Sequence, residues 1–243
     1  MQFFRPMHAV KAMTFDLDDT LYNNDPVIRQ ADTTLTQFIH AHFPHASAMS
    51  SAQWGDIRRT AIMKEARLAS DMGELRRQVL AKALYADVTG GNTQYATLSD
   101  AVEACFNCFY DARSNFTLDD SVHDTLKVLS KRYPLIGITN GNVDSEKIGI
   151  TPYFDSILHA SMTRPMKPHS AMFDEAADKL ALPTQHILHV GDNLIKDVYG
   201  ALNAGYQAAW FACNRPMMLN NEPVSLLPHV ALSTLHELTH FVD

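Results

Sequence analysis

The chain has 243 residues, 46% of them hydrophobic and 19% charged, and 27 acidic against 20 basic side chains give a formal net charge of -7. That length suits one α/β domain with a sizeable core plus a modest second unit. The acidic balance argues against a general nucleic-acid binder, which needs a basic surface to neutralise phosphates. With no run near the roughly 20 apolar residues of a membrane span and no apolar leader before Asp16, no membrane partner is expected and a cytoplasmic location is.

In chain order, residues 11–16 (KAMTFD) read as a short buried strand ending in acid. Residues 23–113 break any strand rhythm, offering the helical runs PVIRQADTTLTQFIHAHF, WGDIRRTAIMKEARLA and GELRRQVLAKALYADV, and so look like an inserted helical unit. Cys105 and Cys108 lie in the apolar run AVEACFNCFY, where their spacing of three suits a helix core. No second thiol pair exists to complete a zinc site, and Cys213 leaves an odd number for disulfides.

From residue 114 the pattern alternates. Helical stretches at SVHDTLKVLSK, SAMFDEAADKLAL and IKDVYGALNAG, the last closing on Gly205, separate the strand candidates 134–139, 155–160, 186–192 and 207–212. Strands alternating with helices predict a Rossmann-like, doubly wound α/β domain, a parallel sheet covered on both faces, built from 1–22 and 114–243. Ligands of such sheets bind beyond the carboxyl ends of the strands. Asp16, Thr139 and Asp192 all stand at such ends.

Each polar cluster there has a plain explanation when taken alone. Asp16-Leu17-Asp18 could be turn acids, Thr139-Asn140-Gly141 a turn, Lys167 a solvated charge, and Asp192 with Asp197 acids at a helix start. Together they supply a nucleophile, a proton donor, a hydroxyl and amides for phosphate oxygens, a cation, and acids for Mg²⁺.

In order and spacing these residues resemble the four motifs of the haloacid dehalogenase superfamily: D-x-D-x-T, then Ser or Thr, then Lys, then G-D-x-x-x-x-D. By that resemblance Asp16 attacks phosphorus, Asp18 protonates the leaving oxygen, and Thr139 with the amides of Asn140 and Gly141 holds phosphoryl oxygens beside Lys167. Asp16, Asp192 and the main-chain carbonyl of Asp18 would bind Mg²⁺, with Asp197 acting through water or by orienting Lys167. Asp19 and Thr20 would order the loop.

The insertion 23–113 resembles the α-helical C1-type cap of the superfamily and is expected to select substrate. Arg58, Arg59, Arg67, Arg76 and Arg77 lie in it as candidate anion contacts, although a solvated helix face is their simpler explanation. The second acid, Asp18, favours phosphate esters over haloacids. Mutases keep both acids and stay open, while a non-catalytic scaffold is disfavoured because every catalytic position is filled.

The strings FFRPMHAVKAMTFDLDDTLYNNDPVI, ITNGN and LHVGDNLIKDV, with the late LLPH, further resemble bacterial phosphatases of the superfamily. Those enzymes act on the phosphorylated ribitylaminouracil of riboflavin synthesis and on flavin mononucleotide. The implied partner is a small phosphorylated metabolite. A pyrimidine nucleotidase or a broad sugar-phosphate phosphatase is the alternative, and oligomeric state is not readable.

Overall fold

The computed structural model describes residues 1–223 and 226–242. Among the described residues, seven strands, β1 (Gln2–Phe3), β2 (Ala12–Phe15), β3 (Leu135–Thr139), β4 (Ser156–His159), β5 (Ile187–Gly191), β6 (Gln207–Trp210) and β7 (Val230–Ala231), form one sheet in the order β1-β7-β6-β5-β2-β3-β4. All neighbours run parallel except β1, which pairs antiparallel with β7 at the edge. β2, β3, β5 and β6 are buried along their whole length, which is why their sequences read as continuous apolar runs rather than alternating ones.

Helices α1 (Asn24–His42), α2 (Pro44–Ser47), α3 (Ser51–Lys64), α4 (Met72–Thr89) and α5 (Leu98–Arg113) make up the insertion. They share a core of their own that includes Ala31, Leu35, Leu84, Cys105 and Phe109. Cys105 is part of that core and all three cysteines are free, in keeping with the helix-core explanation of the C-x-x-C pair. α3 ends at Lys64, short of the expected run to Ala69. Glu65 turns extended there, and its carboxylate accepts from Arg67 N at 3.1 Å to cap a separate 3₁₀ turn, Ala66–Ser70.

Of the remaining helices, α6 (Asp120–Leu129) packs Leu126 and Leu129 against Met13, Phe15 and Leu188 on one sheet face. α7 (Ala171–Leu180) packs Phe173 and Ala176 against Ile136, Ile138 and Ala208 on the other. The helix expected from Ile195 opens instead as a π turn over Leu194–Tyr199 and continues into α8 (Gly200–Asn203). Asn193 O accepts from both Asp197 N (2.9 Å) and Val198 N (3.2 Å), and the latter contact, five residues on, widens the turn.

Phe15 pairs with Gly137 on one side and Val190 on the other. The chain runs from β2 to β3 and β4 in one direction and then crosses back to β5, so the order reverses beside β2. The crevice at that reversal is where the sheet can receive a ligand.

Candidate active site

Four side chains converge at the crevice. Asp16 follows β2, Asp192 follows β5, Asp197 lies in the π turn, and Lys167 precedes α7. One carboxylate oxygen from each of Asp16, Asp192 and Asp197 lies within 4.8 Å of the others. Lys167 Nζ stands 2.8 Å from Asp16 Oδ1 and 2.6 Å from Asp197 Oδ1, in a position 1% exposed.

That arrangement sets the protonation of each group. Burial would lower the Lys167 pKa, but the carboxylates of Asp16 and Asp197 outweigh it and hold it above the ordinary lysine value. Asp197 is likewise buried, yet Lys167 and a hydrogen bond from His189 hold its carboxyl below the usual range. Asp16 goes the other way: burial pushes it well above the ordinary value, and the Asp197 charge adds to the push against Lys167.

His189 lies on β5, and burial lowers its pKa, so the ring is neutral. Since a carboxylate only accepts, His189 Nε2 carries the hydrogen donated to Asp197 Oδ1 at 3.3 Å, and Nδ1 accepts from Thr14 Oγ1 at 2.8 Å. Asp197 Oδ2 takes the Asn193 amide at 2.9 Å. Both Asp197 oxygens are thus engaged, Oδ1 by Lys167 and His189 and Oδ2 by the Asn193 amide.

Asp192 is gripped from outside. Arg215 Nη1 donates to its Oδ2 and Nη2 to its main-chain oxygen, both at 2.8 Å, and Trp210 Nε1 donates to that same oxygen at 2.7 Å. Burial, helped by the Asp197 charge, pushes the Asp192 carboxyl up to about 6 even with Arg215 opposing. Oδ2 of Asp16 and Oδ1 of Asp192 have no hydrogen-bond partner among the described residues. Asp192 Oδ1, beside the Asp16 carboxylate, offers the oxygen donors that a hard divalent cation takes.

Thr139 Oγ1 accepts from Gly141 N at 3.0 Å. The Asn140 side chain accepts from Lys167 N at 2.8 Å and donates to Lys167 O at 3.1 Å. It therefore ties the two loops together, a role distinct from the amide contact expected of it.

Asp18 sits across the crevice. Arg113 Nη2 donates to both its oxygens, at 2.8 and 2.9 Å, and Tyr22 donates its hydroxyl to Oδ1. Burial and the Asp18 charge raise the Tyr22 hydroxyl far above its ordinary value, so it stays a donor. Asp19 adopts a left-handed φ of 62° and accepts from Asn24 N at 2.9 Å, which orders the loop into α1.

Between the loops and the helical unit lies a cavity of about 790 Å³, bounded by Ile28, Trp54, Arg76 and Phe109 from the helices and by Asp18 and Gly141 from below. Arg76 stacks its guanidinium 3.3 Å from the centre of the Phe109 ring. Arg58 also lines the cavity, whereas Arg59 and Arg67 form surface ion pairs and Arg77 pairs with Glu103. Arg113, Tyr22 and Arg215 are site residues that the sequence motifs do not mark, and His189 stands in the sequence only as one of a pair with His186 that lacks metal-ligand spacing.

Comparison with known proteins places this geometry in a family. A family model described as haloacid dehalogenase-like hydrolase matches residues 10–205. The chain is 35% identical over 242 residues, covering all of both chains, to the 5-amino-6-(5-phospho-D-ribitylamino)uracil phosphatase YigB of Escherichia coli (strain K12). It is 26% identical to the pyrimidine 5'-nucleotidase PynA of Streptococcus pneumoniae, with 83% of each chain covered. A solved 2-haloacid dehalogenase from Pseudomonas syringae pv. Tomato DC3000 superposes with a TM-score of 0.84 at 28% identity, covering 96% of this chain and 97% of that one. The chain belongs to the haloacid dehalogenase-like hydrolases and is a phosphatase.

Proposed function

We propose that the protein is a Mg²⁺-dependent phosphomonoesterase that works through a phospho-aspartate at Asp16. Its substrate is the phosphorylated ribitylaminouracil of riboflavin synthesis, flavin mononucleotide, or both. The observation that carries the chemistry is the pairing of Asp16 with Lys167 at 2.8 Å while the second Asp16 oxygen faces the crevice unpartnered. Residues 23–113 act as the cap and 1–22 with 114–243 as the catalytic core.

Asp16 Oδ2 attacks phosphorus, and the P–O bond to the alcohol breaks with its electron pair passing to the leaving oxygen. Asp18 gives that oxygen a proton. Asp18 then takes a proton from water, whose oxygen attacks the acyl phosphate to release inorganic phosphate and restore Asp16. Thr139 Oγ1 and Gly141 N turn from each other toward the phosphoryl oxygens, and Lys167 offsets their charge. Asp16, Asp192 and the Asp18 carbonyl would hold Mg²⁺, which when bound would supply further positive charge and ease the approach of one anion to another.

The substrate assignment draws on the alignment with YigB, which spans the whole chain, residues 23–113 included. A cavity of about 790 Å³ walled by Trp54 and Phe109 also has the size and aromatic lining for a flat heterocycle. A panel of kcat/KM values tests it. The ribitylaminouracil phosphate or flavin mononucleotide is expected above uridine and thymidine monophosphates and above sugar phosphates. The nucleotides leading would favour a pyrimidine nucleotidase, in line with the similarity to PynA.

A further inference from the structure

Arg113 closes α5, is 2% exposed, and sends its three guanidinium nitrogens to three separate places. Nη1 donates to Asn24 Oδ1 at 2.7 Å, on the first residue of α1, and Nε donates to Asn142 Oδ1 at 3.4 Å, just beyond the Thr139–Gly141 loop. Nη2 faces both oxygens of Asp18. Asn24 and Arg113 stand where the chain leaves the sheet for the helical unit and where it returns. The guanidinium plane is therefore set by both crossings and by the loop, and that plane in turn sets Asp18.

A lysine could match the charge but not three partners in fixed directions. The pair is also pressed onto the loop. A Cβ at Gly141 would lie 2.4 Å from Asp18 Oδ2 and 3.0 Å from Arg113 Nη2, so only glycine fits beneath it. Tyr22 occupies Oδ1, which leaves Oδ2 as the oxygen over Gly141.

We propose that Arg113 is a positioning residue for proton transfer, holding Asp18 Oδ2 over the Thr139–Gly141 loop where the ester oxygen departs. This rests on Asp18 being the proton donor. As the P–O bond breaks, the proton passes from Asp18 Oδ2 to the leaving oxygen; Arg113 exchanges no proton and fixes only distance and direction.

A leaving group that is stable as an anion needs little help from a proton donor, and a poor one needs much. The test compares kcat/KM, which covers the steps through release of the alcohol, for phenyl phosphate and p-nitrophenyl phosphate at saturating Mg²⁺. Wild type, Arg113→Ala, Arg113→Lys and Asp18→Asn are measured. Both Arg113 variants are expected to lose at least about tenfold more activity on phenyl than on p-nitrophenyl phosphate, with lysine recovering part of the difference. The ratio between substrates does not depend on the folded fraction, so partial unfolding cannot mimic it.

Equal losses on both esters in both Arg113 variants would overturn the proposal. If Asp18→Asn shows the selective loss and the Arg113 variants do not, Asp18 stands as donor and the role of Arg113 falls. If Asp18→Asn shows none, the assignment of the donor itself falls, and the role of Arg113 with it.

Discussion

Lys167 Nζ lies 2.6 Å from Asp197 Oδ1, with both side chains 1% exposed, and the same ammonium reaches Asp16. One buried cation between two buried carboxylates is the partner both depend on, because removing it strands charge in a medium that solvates it poorly. Lys167→Met should therefore abolish turnover and cost about 3–5 kcal/mol in urea unfolding without divalent cation. A loss below about 1 kcal/mol would show that the lysine does not hold the cluster together.

Asp192 gives the site a pH dependence with a definite sign. In the metal-free fold it keeps its proton to about pH 6, whereas the unfolded chain loses it near 3.8, so this group favours the fold most at low pH and that contribution disappears as pH rises through 6. A Mg²⁺ ion held by Asp192 would bind the anion and so displace that proton below pH 6. Calorimetric Mg²⁺ affinity should strengthen about fivefold from pH 5 to pH 6, with proton release on binding. An affinity flat across that unit would remove Asp192 from the ligand set.

Much of the fold was legible because β2, β3, β5 and β6 are buried on both faces and so appear as apolar runs ending in polar residues. β1 and β7 are two residues each and carry no periodicity to detect. The four polar clusters could be found because their spacing follows a recurrent pattern. Arg113 and Arg215 could not, since their carboxylate partners lie 95 and 23 residues away and only the folded chain brings them together. The π turn was hidden for a similar reason: the sequence from Leu194 suits an α-helix. Asp197 packs so closely on Gly191 that a Cβ there would come within 2.3 Å of its carboxyl carbon.

Asp87 offers a test of the helical unit that leaves the chemistry aside. It is fully buried in α4 and accepts from the amides of His45 (2.8 Å) and Ala46 (2.9 Å), holding the start of α2. Asp87→Ala leaves two amides without their acceptor and should destabilise the protein by about 2–4 kcal/mol in chemical denaturation. Retained stability would mean that α2 is anchored by its apolar contacts alone.

Asp16→Asn should keep the fold, since asparagine fills the same space and can still accept from Lys167, while removing the proposed nucleophile. Turnover of p-nitrophenyl phosphate should fall to background with an unchanged circular dichroism spectrum. Substantial remaining activity would assign the attack to another group.

The most direct measurement is to trap the intermediate. Enzyme mixed with substrate and Mg²⁺ is quenched in acid within one turnover, reduced with borohydride, and mapped by peptide mass spectrometry. Phosphoryl transfer to Asp16 predicts homoserine at position 16 and nowhere else in the chain. Reduction at another carboxylate, or none while a burst of alcohol product is observed, would contradict it.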